Sequence, residues 1–106
     1  MKYVFDIDGT ICRTNDADYE NSIPMLERIS KINSLYDDGH TIVYFTARGM
    51  GRTGGNRDAV YELFYPLTKG QLIKWKAKHH ELILGKPDAD FFIDDKGTND
   101  HIFFEN

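Results

Sequence analysis

Lys2-Tyr3-Val4-Phe5-Asp6-Ile7-Asp8-Gly9-Thr10 is the stretch on which the fold turns. Its apolar and aromatic residues run from Tyr3 to Ile7, which predicts a short buried strand. The run breaks at Asp8-Gly9-Thr10, a turn signal. Side chains alternate along a strand, so Asp6 and Asp8 begin on the same face. The sharp turn at Gly9 then frees them for separate roles.

Downstream of that turn, residues 13–21 are polar and acidic and read as a loop. Ser22 is placed to cap a helix opened by Pro24. Leu26, Ile29, Ile32 and Leu35/Tyr36 recur at helical spacing, and Gly39 closes that helix. Thr41-Ile42-Val43-Tyr44-Phe45-Thr46 is almost wholly apolar or β-branched, which predicts a strand inside a parallel sheet, covered on both faces. A glycine-rich loop follows at residues 49–55. A short helix is predicted from Asp58 to Phe64, stopping at Pro66. Thr68 and Gln71 have capping-box spacing for a further helix carrying Leu72 and Trp75. Leu82-Ile83-Leu84 and Asp90-Phe91-Phe92-Ile93 predict two more strands, and Ile102-Phe103-Phe104 an edge strand. Strands alternate with helices, which predicts an α/β sandwich of three layers around a mainly parallel sheet.

The 106 residues fit one domain, 1–106, with 41% apolar and 13% aromatic residues to build its core. A net charge of −4 argues against nucleic acid as the partner. No apolar run reaches membrane-span length, and no leader pattern precedes Lys2. Cys12 is the one cysteine, so no internal disulfide forms. A cytoplasmic, membrane-free protein is expected.

Ligands of open parallel sheets bind beyond the carboxyl ends of the strands. Here every predicted strand delivers a polar group to that edge: Asp6 and Asp8, Thr46 with Ala47 and Arg48, Lys86 in Gly85-Lys86-Pro87, and Asp94-Asp95. Carboxylates crowded together repel one another. A hard divalent cation with oxygen ligands relieves this, and magnesium, which takes few protein carboxylates plus substrate phosphate, suits the inventory. No His/Cys cluster has zinc spacing.

Taken in order, these segments resemble the four motifs of the haloacid dehalogenase superfamily of phosphohydrolases. Asp6-Ile7-Asp8-Gly9-Thr10 resembles the first motif, Thr46 the second, Lys86 the third and Asp94-Asp95 the fourth. Phe45-Thr46-Ala47-Arg48-Gly49-Met50-Gly51, Gly85-Lys86-Pro87 and Phe92-Ile93-Asp94-Asp95-Lys96 are most similar to a branch of very small phosphatases associated with capsule and surface-polysaccharide biosynthesis. The resemblance implies a Rossmann-like core without a cap domain. It implies covalent catalysis, with Asp6 attacking phosphorus and Asp8 as general acid and base. Thr46 would bind a phosphoryl oxygen and Lys86 would neutralise charge. Magnesium would be held by Asp6, the Asp8 carbonyl, Asp94 and Asp95. Gly9, Ala47, Arg48 and Arg52 are the candidate substrate contacts. The implied partner is a phosphorylated small molecule or glycan precursor, with a second subunit as one way to cover an open site.

Other readings compete at single residues. Asp6 and Asp8 alone fit a turn and a cap, Thr46 a strand terminus and Lys86 a surface lysine. Gly49-Met50-Gly51-Arg52-Thr53-Gly54 spells a dinucleotide fingerprint, but the acid about twenty residues on is missing. That loop reads better as a mobile site rim, where Arg48, Arg52 and Arg57 meet an anion or only solvent. His79-His80 reads as a helix-end cap or plain surface, and Trp75 with Leu72 as core. Cys12 reads as a small buried hydrophobe. For the whole chain, the rival class is a phosphate- or nucleotide-binding module, or a receiver-like signalling domain.

Overall fold

The computed structural model describes residues 1–105. Three parallel strands form the sheet: β1 (Lys2–Phe5), β4 (Thr41–Thr46) and β5 (Glu81–Leu84), in the order β1-β4-β5. Phe5 lies beside Tyr44, and Tyr44 beside Leu82. Two-residue strands β2 (Cys12–Arg13) and β3 (Ile23–Pro24) pair antiparallel between β1 and the first helix.

The first helix, α1 (Leu26–Asp37), buries Ile29 and Ile32. It starts later than Ser22-Pro24 predicts. Pro24 is spent in pairing with Cys12, and Met25 donates its N–H to Ile11 O. Gly39 ends it as expected. With φ at +95°, it lets Gly39 N reach Tyr36 O and His40 N reach Leu35 O, satisfying the last carbonyls.

Where two helices are predicted there is one. The second helix, α2 (Arg57–Lys74), runs straight through Pro66. Asn56 caps it by accepting from Ala59 N. Val60, Phe64, Thr68, Gln71 and Leu72 are all buried along its length. This continuous stripe outweighs the one backbone hydrogen bond that Pro66 removes.

A single apolar cluster joins Phe5, Ile42, Tyr44, Leu82 and Leu84 of the sheet to α1, α2 and Phe104. The covered face is thus the one carrying Phe5, Tyr44 and Leu82. Right-handed crossovers through the order β1-β4-β5 place α1 and α2 on that same side. On the opposite face Val43 is buried and Phe45 half-buried, but Val4 beside the first and Ile83 beside the second are exposed. The fold is therefore α/β with a parallel sheet, and the predicted third layer is not built among the described residues.

Two predicted strands also do not form. Residues 90–93 pair with nothing, and Phe91 and Ile93 are 81% and 93% exposed. The predicted edge strand at 102–104 is helical instead, within α3 (Asp100–Glu105). Asn99 starts it by accepting from His101 N, and Phe103 and Phe104 pack on Phe5. A three-residue apolar run does not distinguish strand from helix, so flanking Asn99 and Asp100 were the informative residues. Among the described residues, no helix is long and apolar enough to cross a membrane.

Candidate functional site

Asp6 sits immediately beyond β1, held by parallel pairing with β4 on one side and by buried Phe5 and Ile7 in sequence. Thr46 ends β4. Lys86 follows β5, and its backbone N–H donates to Thr46 O at 3.1 Å, tying that loop to the end of β4. Three strand ends therefore bring Asp6, Thr46 and Lys86 to one edge of the sheet; Thr46 is 1% exposed there, and Lys86 Nζ stands 3.6 Å from Asp6 Oδ1. Thr10 Oγ1 donates to the other Asp6 oxygen at 3.2 Å. Burial pushes the Asp6 carboxyl above its ordinary value, against the pull of Lys86 and of the hydrogen bond from Thr10. Asp6 is thus a half-buried carboxylate beside an ammonium, open on one side. It can present an oxygen to an electrophile, and Lys86 can balance the charge of an anion arriving there.

Gly9 makes the turn that the sequence predicts. With φ at +83° it reverses the chain, and its N–H reaches Cys12 O at 2.9 Å. Asp8 is consequently aimed away from Asp6's partners. Arg48 grips it through both oxygens, Nε to Oδ2 at 2.9 Å and Nη2 to Oδ1 at 3.0 Å. Thr14 Oγ1 donates to Oδ1 at 2.5 Å. Arg48 therefore corrects a prediction. It is 2% exposed and lies inside the protein, not among the substrate-facing groups of the rim. Its remaining donors meet Thr68 Oγ1, Gln71 Oε1 and Ser22 Oγ. Thr46 Oγ1 accepts the Arg48 N–H at 3.1 Å, so the hydroxyl also shapes this turn.

Ala47 is half-buried, and its carbonyl accepts from Met50 N. The glycine loop is closed on itself: Thr53 donates its N–H and Oγ1 to Gly49 O, and Gly55 N reaches Met50 O. Arg52 is exposed on that loop, its guanidinium 5.2 Å over the Phe64 ring. It remains available to an anion. Arg57 instead lies over Gly85, so close that a Cβ there would meet its side chain at 2.9 Å.

The acidic pair is not brought in. Asp94 Oδ1 accepts from Lys96 N at 2.6 Å and from Gly97 N, capping its own loop, and Asp95 is exposed. Phe92 reaches the rim, with the Lys86 ammonium 4.5 Å over its ring. Among the described residues, no three His, Cys, Asp or Glu side chains are grouped to hold a metal ion. The oxygen chemistry of Asp6 and the Asp8 carbonyl suits magnesium, but the four-residue donor set predicted for it is not assembled.

Several residues of the site went unnoticed in the sequence. Thr68 and Gln71 have the spacing of a capping box, yet both lie inside α2 and face Arg48. Residues three apart share a helix face whether they cap or not. Thr14, Ser22 and Tyr19 come from a stretch with no periodic signal; Tyr19 Oη accepts from Gly49 N and its ring stacks 5.0 Å from the Arg48 guanidinium. Cys12 is buried as predicted, and burial pushes its thiol up, which keeps it a neutral neighbour of Asp8. His79 is half-buried and so not plain surface, whereas His80 is exposed. His79 is wedged between Lys69 and Ala77 O, and His80 Nδ1 accepts from Ile42 N.

A crystal structure of a structural-genomics target from Vibrio cholerae is similar to this chain at 30% sequence identity and a TM-score of 0.92. The match covers 99% of this chain and 88% of that one. The two proteins belong to one family. Its shared property is the fold, across nearly the full length described above. No protein-family model and no curated protein matches the chain.

Proposed function

We propose that the chain is a phosphohydrolase of the haloacid dehalogenase type, with Asp6 as nucleophile and an aspartyl phosphate as intermediate. The observation that carries this reading is the pairing of Asp6 with Lys86, from opposite ends of the sequence, at the carboxyl edge of the sheet. A lone carboxylate there would repel a phosphate dianion. An ammonium 3.6 Å away makes the same spot attractive to one.

In this reading Asp6 attacks phosphorus in line, and the bond to the leaving oxygen breaks as the aspartyl phosphate forms. Asp8 gives the leaving oxygen a proton and later takes one from the attacking water. Thr46 and Lys86 hold the phosphoryl oxygens. The motif resemblance supports a sugar, polyol or glycan-precursor phosphate as substrate, in surface-polysaccharide biosynthesis. The lack of any inserted cap domain along the chain supports an open site able to admit the end of a larger molecule. Magnesium belongs to the proposal through the resemblance. Since its donors are not gathered, no step is assigned to it, though magnesium commonly uses one protein carboxylate plus substrate phosphate.

Release of phosphate from p-nitrophenyl phosphate tests the reading. Turnover is expected with magnesium and not with chelator. Asp6→Asn should lower kcat by about 10³-fold or more while the circular dichroism spectrum stays unchanged. Retained turnover in that variant would remove Asp6 as nucleophile. A non-catalytic phosphate-binding module is favoured by one observation: Asp94 caps its own loop, and among the described residues no acidic group is gathered with Asp6 to hold a metal ion. That reading requires phosphate binding by calorimetry with no turnover in the wild-type chain.

A further inference from the structure

We infer that Arg48 is a positioning residue for the proposed reaction: its guanidinium fixes the place of the Asp8 carboxylate at the mouth of the site and does not bind substrate. This rests on the phosphohydrolase reading above. A guanidinium has five N–H groups in a rigid plane. In this protein Nε meets Asp8 Oδ2, Nη1 meets Thr68 Oγ1 and Gln71 Oε1, and Nη2 meets Asp8 Oδ1 with Ser22 Oγ and Cys12 Sγ around it. No donor is left for a ligand.

The Arg48 side chain is wholly buried, while the Asp8 side chain keeps 26% of its surface exposed. The pair therefore has an inside half and an outside half. Arg48 is anchored from three directions: by Thr68 and Gln71 of α2, by the Tyr19 ring, and by its own N–H on Thr46 Oγ1. Gln71 is itself fixed, donating Nε2 to Tyr19 O at 2.6 Å. A two-point grip from an anchored plane leaves Asp8 one orientation, which an ammonium with a single contact would not impose. Thr14 Oγ1 supplies the third contact, on the same oxygen as Nη2. Misplacing a proton donor by as little as an ångström is costly to catalysis.

A positioned proton donor matters most where the leaving group is poor. Steady-state hydrolysis of phenyl phosphate and p-nitrophenyl phosphate by the wild-type chain and by Arg48→Lys separates this role from others. We expect kcat/KM, which reports formation of the aspartyl phosphate, to fall about 100-fold on phenyl phosphate and about tenfold or less on p-nitrophenyl phosphate. Thr14→Val should show the same leaving-group dependence in smaller measure, and it decides the matter where Arg48→Lys does not fold. A raised KM with unchanged kcat would overturn the inference by placing Arg48 on the substrate. An equal loss of kcat/KM on both esters would overturn it by making the pair merely structural. A wild-type chain that turns over neither ester would instead sink the phosphohydrolase reading, and this inference with it.

Discussion

Residues 2–10 and residues 90–97 carry nearly the same local message: an apolar run ending in a pair of carboxylates. Their fates in the molecule differ. The first run pairs with β4, buries Phe5 and Ile7, and delivers Asp6 to Lys86. The second pairs with nothing, exposes Phe91, Phe92 and Ile93, and turns Asp94 onto its own backbone. An acid at the end of an apolar run becomes part of a site only when neighbouring backbone holds that run in place. Pairing and burial supply the precision that catalytic geometry demands.

Stability measurements should separate the two regions most sharply. Phe5→Ala is expected to cost about 3–5 kcal/mol in urea unfolding, the usual range for a buried phenylalanine. Phe91→Ala should cost less than about 0.5 kcal/mol, because its ring is 81% exposed. Similar costs at both positions would break the contrast. Gly49→Ala comes next, at about 2–3 kcal/mol. Its φ is +77°, and a Cβ would stand 2.4 Å from the Phe64 ring, so both backbone and packing object.

Acid titration sharpens the same contrast from the buried side. Burial pushes the His79 imidazole below its ordinary 6.5, helped by the nearby Lys69 and His80 and opposed by its bond to Ala77 O. The unfolded chain then takes up a proton at a higher pH than the folded one. This contribution to stability is full above pH 6.5 and declines as pH falls below it. His79→Gln should flatten that part of a stability profile, and an unaltered profile would exclude His79 as its source. The smallest effect is expected at Asp94→Asn, a change in kcat of less than about threefold, since Asp94 caps only its own loop. A loss matching that of Asp6→Asn would show the acidic segment working beside Asp6.

Much of this architecture was legible in the sequence because hydrophobic period and strand termini act locally. Strands β1, β4 and β5, the end of α1 at Gly39 and the meeting of Asp6 with Lys86 all follow from such signals. The misreadings share a cause as well. Pro66 and the Thr68/Gln71 spacing look like a boundary, yet a buried stripe along α2 overrides them. Arg48 looks like a surface arginine in a glycine-rich loop, and only the fold reveals the carboxylate, hydroxyl and amide groups that draw it inside. The exposure of 90–93 was illegible for the converse reason, since strand propensity cannot supply a partner strand.

The central claim is that phosphorus becomes bonded to Asp6. The most direct measurement is mass spectrometry of the chain quenched in acid during turnover of p-nitrophenyl phosphate, followed by peptide mapping. The account predicts the added mass of one phosphoryl group on the peptide containing Asp6, absent from Asp6→Asn. A phosphoryl group on another residue, or steady turnover with none on the chain, would contradict it.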